Sequence, residues 1–318
     1  LSDFSFNRRQ LLTIGTGIAA MVALPAPGFA LSPTHPVIAT GGKGGVFYPY
    51  GQALADVLVG TVEVTGGSVD NARLVHSGKA AIGFSTLDSA YDAIHGVGAY
   101  ATDGKLDLRV LAVLYDSFLH VVANADAGIA TIADLKGKRV SIGSAGSSTE
   151  SIADRVLQAA GLDPANGVVR SNLGVAESAE ALKDGKIDAF FWIGGVPTAA
   201  VHELSEGKPA LTFLATGGEY AAIDKKYPGL YRQLALPKSA YAGLTADVPS
   251  LGVANILTVS AKAEDAFVTA TLNGIFDNLG TIHKSHPEAA KLVLTSAGVA
   301  TAVPFHPAAE AFYNAKGD

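Results

Sequence analysis

The twelve residues Thr40–Gly51, TGGKGGVFYPYG, restrict the fold more than any other stretch of this chain. They follow a short apolar run, Val37-Ile38-Ala39, that reads as a buried strand. The glycines strip a tight loop of side chains and let a ligand approach the backbone. Pro49 suits the first turn of a helix, where its missing N–H would have had no partner. Leu54 and Leu58 then continue one face at helical spacing. Strand, glycine loop and helix N-terminus form a place where backbone N–H groups and the positive helix end favour an anion. Lys43 would reinforce that preference. A tight turn with no ligand remains the other reading of the loop alone.

The pattern recurs. A strand at Thr61–Thr65, a turn at Gly66-Gly67-Ser68 and a helix over Val69–His76 come first. Then follow a strand at Ala81–Phe84 and a helix over Leu87–His95. Repeated βα units imply a mainly parallel sheet with helices on its faces. Ligands of such sheets sit beyond the carboxyl ends of the strands, which selects Gly41–Tyr48, Gly66–Asn71 and Ser85–Asp88. Arg109–Asn124 is a long strand-like run that can carry the chain into a second lobe, and Leu251–Ser260 is the return crossing. Between them a second unit repeats the design: a strand at Arg139–Ile142, a small-residue loop at Gly143–Thr149 and a helix over Glu150–Ala160. Two facing helix N-termini suggest a cleft. Further on come a helix at Glu177–Leu182 and an apolar strand, Ile187–Trp192. Trp192, the only tryptophan, ends that strand on the ligand rim, where it can stack on a ligand or fill a core.

Composition narrows the function. The chain has 318 residues, 48% hydrophobic and 16% charged, with net charge −6. That balance speaks against nucleic acid, whose binding rests on clustered Lys and Arg. With no cysteine, thiolate metal sites, disulfides and cysteine nucleophiles are excluded. The sequence contains no G-x-S-x-G, H-E-x-x-H or G-x-x-x-x-G-K-[ST] motif. Gly42–Phe47 begins like a dinucleotide fingerprint, but Phe47 stands at the third glycine. His283 and His286 read as an exposed helix end rather than a metal site. No cofactor, metal or catalytic residue is expected. Ser147 and Ser148, before a helix, read as caps or ligand donors. At the N-terminus, Arg8-Arg9, the apolar segment Leu11–Leu24 and small residues up to Ala30 have the order of an export signal. Asn-Arg-Arg-Gln-Leu-Leu resembles a twin-arginine signal, with Sec export as the alternative. Residues 1–30 are set apart as that signal, and the mature protein is expected in the periplasm.

The motifs TGGKGGVFYPYG, GGSVDN at 66–71, DLKGKRV with GSSTE, LKDGKIDAFF at 182–191 and VPFHPAAEAFY at 303–313 occur in order. Together they resemble the TAXI family (TRAP-associated extracytoplasmic immunogenic proteins). These are the solute receptors of tripartite ATP-independent periplasmic (TRAP) transporters. The resemblance implies an α/β, two-lobed periplasmic binding protein (type II-like), with mainly parallel sheets, flanking helices and a hinge. It implies a receptor, not an enzyme, that closes on glutamate, glutamine or a related dicarboxylate. The receptor would deliver the solute to the permease subunits of an ion-gradient-driven transporter, and a monomer is expected. Carried over by position, Gly41, Gly42 and Tyr48 belong to the first binding loop beside Lys43, and Asn71 offers its amide. Ser85 and Asp88 follow the third strand. Ser147, Ser148 and Thr149 bind an anionic group from the other lobe. Trp192, Gly195 and Pro197 close the far wall. The expected lobes are about 31–121 plus 253–318, and 122–252. A second reading is a sensor subunit that presents a solute to a membrane kinase.

Overall fold

The computed structural model describes residues 34–316; the expected signal, residues 1–30, lies outside them. In the first half, β1 (Val37–Ala39), α1 (Phe47–Leu58), β2 (Thr61–Glu63), α2 (Ser68–His76), β3 (Ile82–Thr86) and α3 (Leu87–His95) alternate as the sequence predicts. Then β4 runs from Leu108 to Asn124. The second half contains β5 (Arg139–Ser141), α4 (Ser148–Ala159), β6 (Val169–Ser171), α5 (Val175–Lys183) and β7 (Ala189–Gly194). Strands β8 (Leu211–Phe213) and β9 (Arg232–Leu236) follow, and β10 (Val248–Ser260) returns. Helices Asp265–Asp277 and Pro307–Lys316 complete the first half.

The strands form one sheet ordered β2-β1-β3-β10-β4-β7-β5-β6, with β8 on β4 and β9 on β10. Both ends are parallel, as βα repeats require. The middle is antiparallel, because β4 and β10 run in opposite directions between the halves. The sheet is therefore mixed, where the βα repeats alone implied a mainly parallel one. Strand β4 pairs with β10 up to Phe118 and with β7 from Phe118 onward. These two strands are the covalent crossings of a two-lobed fold. Their residues are almost all buried, which explains two long apolar runs with little alternation.

Apolar clusters cover both faces. One packs Ile38, Tyr50, Leu54 and Phe84 with Leu272 and Phe312 in the first half. Another packs Val122, Leu182, Phe190 and Val201 in the second. A third continues across, from Leu87 and Val110 to Ile152 and Phe191. Beside it lies a buried ion cluster joining α3 to α4. Arg155 donates to Asp88 Oδ2 at 3.2 Å and to Asp92, and its guanidinium lies 4.0 Å from the Tyr227 ring centroid. Tyr231 donates to the same Asp88 oxygen at 2.6 Å. Charges this deep persist only when paired, so Asp88 serves the contact between halves.

Asn71 also has a structural role. Its Nδ2 donates to the carbonyls of Thr40 at 2.6 Å and Phe84 at 2.8 Å, and its Oδ1 accepts from Thr65 Oγ1 at 2.6 Å. One fully buried side chain thus ties the ends of β1, β2 and β3 together and fixes the loops that follow them. Removing it strands buried carbonyls, each costing about 1–3 kcal/mol. Asn71→Ala is expected to lower unfolding free energy in urea by about 3 kcal/mol. A loss below roughly 0.5 kcal/mol, the range of surface changes, would show that the clamp does not hold these strand ends.

Candidate functional site

Between the halves lies a cavity of about 340 Å³, within the usual range for a small-molecule site. The N-termini of α1, α2, α4 and α5 all reach its lining. From the first half come Gly41–Phe47, Val64, Gly66–Ser68 and Thr86; from the crossing strand, Tyr115 and Ser117; from the second, Ser144, Ser147–Thr149, Gly174–Glu177 and Trp192–Gly194. No side chain caps α1 or α5, so their first N–H groups are left to water or a ligand.

The halves touch each other around this space. The carbonyl of Gly146 accepts from the N–H groups of Val69 at 3.1 Å and Asp70 at 3.2 Å, which caps α2 from the opposite half. Ser68 Oγ donates to Ser148 Oγ at 3.3 Å. A Cβ on Gly66 would lie 2.3 Å from Ala145 O, and one on Gly44 3.2 Å from Ala176 Cβ. Gly146 has φ +76, and its Cβ would strike Asp70. Glycine is thus needed at 66 because two backbones meet there, and at 146 for its conformation as well.

Trp192 crosses the gap. Its ring edge would be 3.0 Å from a Cβ on Gly45. Its indole N–H donates to Thr198 Oγ1 at 2.9 Å, and Thr198 Oγ1 donates to Gly195 O at 2.8 Å. Behind it, the Thr198 N–H donates to the Tyr241 hydroxyl oxygen at 2.9 Å. Tyr241 in turn donates to His120 Nε2 at 2.8 Å, and His120 Nδ1 donates to Phe118 O at 2.9 Å. This chain holds the indole flat against the cavity and fixes the His120 tautomer.

The structure gathers Gly41, Gly42, Lys43, Ser147, Ser148, Thr149 and Trp192 on the lining. It leaves Tyr48, Asn71, Ser85, Asp88, Gly195 and Pro197 off it, for identifiable reasons. Tyr48 is half-buried beneath Lys43, whose Nζ is 5.7 Å from its ring. Asn71 and Asp88 are committed as described. Ser85 faces the other way and donates to Thr86 O at 3.0 Å. At Gly195 the space a Cβ would take is filled by Glu288, 2.3 Å away, which also accepts from the Val196 N–H at 2.9 Å. Pro197 leads directly into Thr198 and lies off the lining. Within the loops it selected, sequence reasoning did not single out Phe47, Ser68 or Thr86, and it passed over Tyr115 and Ser117. Thr86 is one residue from a position it selected. The alternation of β3, with Phe84 stacked 5.0 Å from Phe47, carried the signal for Thr86.

Two outcomes follow. Gly66→Ala should hold the halves apart while leaving each half folded: solute affinity falls about tenfold or more, and unfolding free energy without solute changes by under about 1 kcal/mol. Parental affinity would mean the close approach is not part of binding. Burial holds His120 down to about 4 from 6.5. The unfolded chain therefore takes up a proton first, and stability is lost as pH falls from about 6.5 towards 4. Asp92, pushed up to about 6 by burial, works in the opposite sense, losing stability as pH rises over much of the same interval. Denaturant titrations of the parent and His120→Gln separate the two. The parent should lose up to about 3 kcal/mol more across that interval; equal slopes would contradict a neutral buried His120.

Among solved structures, a protein from Bordetella bronchiseptica RB50 is 20% identical over 81% of this chain and 77% of that one, with a TM-score of 0.51. The binding-protein component of a phosphonate ABC transporter from Pseudomonas aeruginosa is 12% identical, covers 80% and 79%, and has a TM-score of 0.50. A Xanthomonas citri protein bound to ATP is 12% identical, covers 89% and 95%, and also scores 0.50. At such identities the likeness is one of fold: α/β, two-lobed, with helices flanking a central sheet, as in solute-binding proteins. Residues 38–317 match the model of the NMT1-like family, and over that length the chain belongs to the NMT1-like family.

Proposed function

We propose that this chain is an exported solute receptor whose halves close over a small carboxylate. The observation that carries this reading is a cavity neither half encloses alone, ringed by helix N-termini from both. Backbone N–H groups and helix dipoles at those ends attract an anion. The contacts of Gly146, Ser68 and Gly66 across the gap support hinge closure of the solute-binding type. The ordered motifs that resemble the TAXI family support reading it as the receptor of a TRAP transporter, acting in the periplasm after export on residues 1–30. Glutamate, glutamine and dicarboxylates are the first candidates by that resemblance.

Reversible binding, not catalysis, is the chemistry this site supports. Ser147, the obvious nucleophile by residue type, behaves as a helix cap. It donates to Ser144 O at 2.7 Å and accepts the Glu150 N–H at 3.3 Å. Lys43 and Glu177, the charged lining residues, are both exposed at the mouth. Lys43 therefore guides an anion inward more than it binds one.

A thermal-shift screen of carboxylates, amino acids and uncharged analogues tests the proposal. The matching carboxylate should raise the melting temperature, since a ligand at a hundred times its dissociation constant adds about 2.7 kcal/mol. Small-angle scattering should show a smaller radius of gyration on saturation. Failure of every carboxylate to stabilise the chain, or an uncharged solute as the best binder, would overturn the reading.

A further inference from the structure

The receptor reading leaves the solute's chemistry open, and the polar atoms of the cavity narrow it. Thr86 is 1% exposed, lines the cavity, and its Oγ1 has no hydrogen-bond partner among the described residues. An orphaned buried hydroxyl is costly unless something completes it. Its neighbours offer protons rather than negative charge. Ser148 Oγ accepts from Ser68 at 3.3 Å and keeps its own proton to donate. Ser117 Oγ accepts from Asn255 Nδ2 at 2.7 Å. The first N–H groups of α4, a helix of 12 residues, open beside Ser148 and Thr149.

The remaining wall is apolar: Phe47, Val64, Tyr115, Val175, Trp192 and Ile193. Trp192 contributes only its ring, because its N–H is spent on Thr198 at 2.9 Å. Glu177 is the sole carboxylate among the described lining residues, and it is exposed at the rim. A carboxylate is well served at the base of this cavity. An ammonium beside it would lose its water and gain no anionic partner, which is strongly unfavourable.

Resting on the receptor reading above, we infer that the solute is a carboxylate without an amino group and with an apolar body. Its carboxylate accepts from Thr86, Ser148 and the first turn of α4, and its carbon chain packs against Phe47 and Trp192. A 2-oxo acid with a branched or aromatic side chain has this chemistry. The second carboxylate of a dicarboxylate would meet the apolar wall.

Calorimetry on the full chain with pairs that share a carbon skeleton tests this: 4-methyl-2-oxopentanoate against leucine, phenylpyruvate against phenylalanine, and 2-oxoglutarate against glutamate. In the leucine pair the oxo acid should bind about a hundredfold tighter than the amino acid, and tighter than 2-oxoglutarate. Thr86→Val keeps the shape and removes the hydroxyl. It should weaken the oxo acid about ten- to a hundredfold without lowering the melting temperature of the unliganded chain. An amino acid that equals or exceeds its oxo partner, or parental affinity in Thr86→Val, overturns the inference. Glutamate as the best binder would do so while leaving the receptor reading intact. If no member of any pair binds, the inference falls, and the wider carboxylate screen decides the receptor reading.

Discussion

The ladder between β4 and β10 is the constraint on which the rest of this molecule depends. Both strands pass from one half to the other, and their pairing runs from Leu108–Ser260 at one end to Phe118–Gly252 at the other. Because the strands are antiparallel, each half can build its own parallel βα layer against one end of the pair. Register shifts interrupt the ladder between Ala254 and Ile256 and between Leu257 and Thr258. Such irregularities twist a strand locally and loosen its pairing. Most residues of the pair are buried, so any motion between the halves is expected to come from changes in twist rather than from strand separation.

Around this axis the structure divides its polar groups by purpose. Those that hold strand ends are saturated, as the bonds of Asn71 show. The groups that join α3 to α4 are charged and buried, with Arg155 shared between Asp88 and Asp92. Those that face the cavity are hydroxyls with protons to spare, or an orphan, Thr86. Saturated groups give a fixed frame; orphaned buried atoms also occur away from the cavity, Asp88 Oδ1 among them, and of the orphans among the described residues Thr86 alone belongs to the lining.

The sequence reveals the frame more readily than the site. The glycine loop is legible because a run of glycines beside a strand and a helix start has few physical explanations, and α3 falls at its expected bounds, Leu87–His95. Trp192 is legible from its place near the end of an apolar strand. What stays hidden depends on phase or distance. Ser85 and Thr86 differ by one step along β3, and one step reverses the face of a strand. Asp88 looks like a loop ligand until Arg155, 67 residues away, comes to pair with it. Asn71 sits near the start of α2 like a cap, yet its three partners lie in or just beyond three separate strands. The antiparallel middle of the sheet is hidden too, since nothing local tells a long crossing strand which way it will run.

The cap that Gly146 supplies to α2 has a consequence for how the molecule reports its own state. The amides of Val69 and Asp70 find their acceptor only in the opposite half. Whenever the halves part, those two N–H groups meet water, and whenever they meet, the same groups are shielded. Their rate of hydrogen exchange would thus report any opening from the backbone itself, and a solute that holds the halves together would slow it.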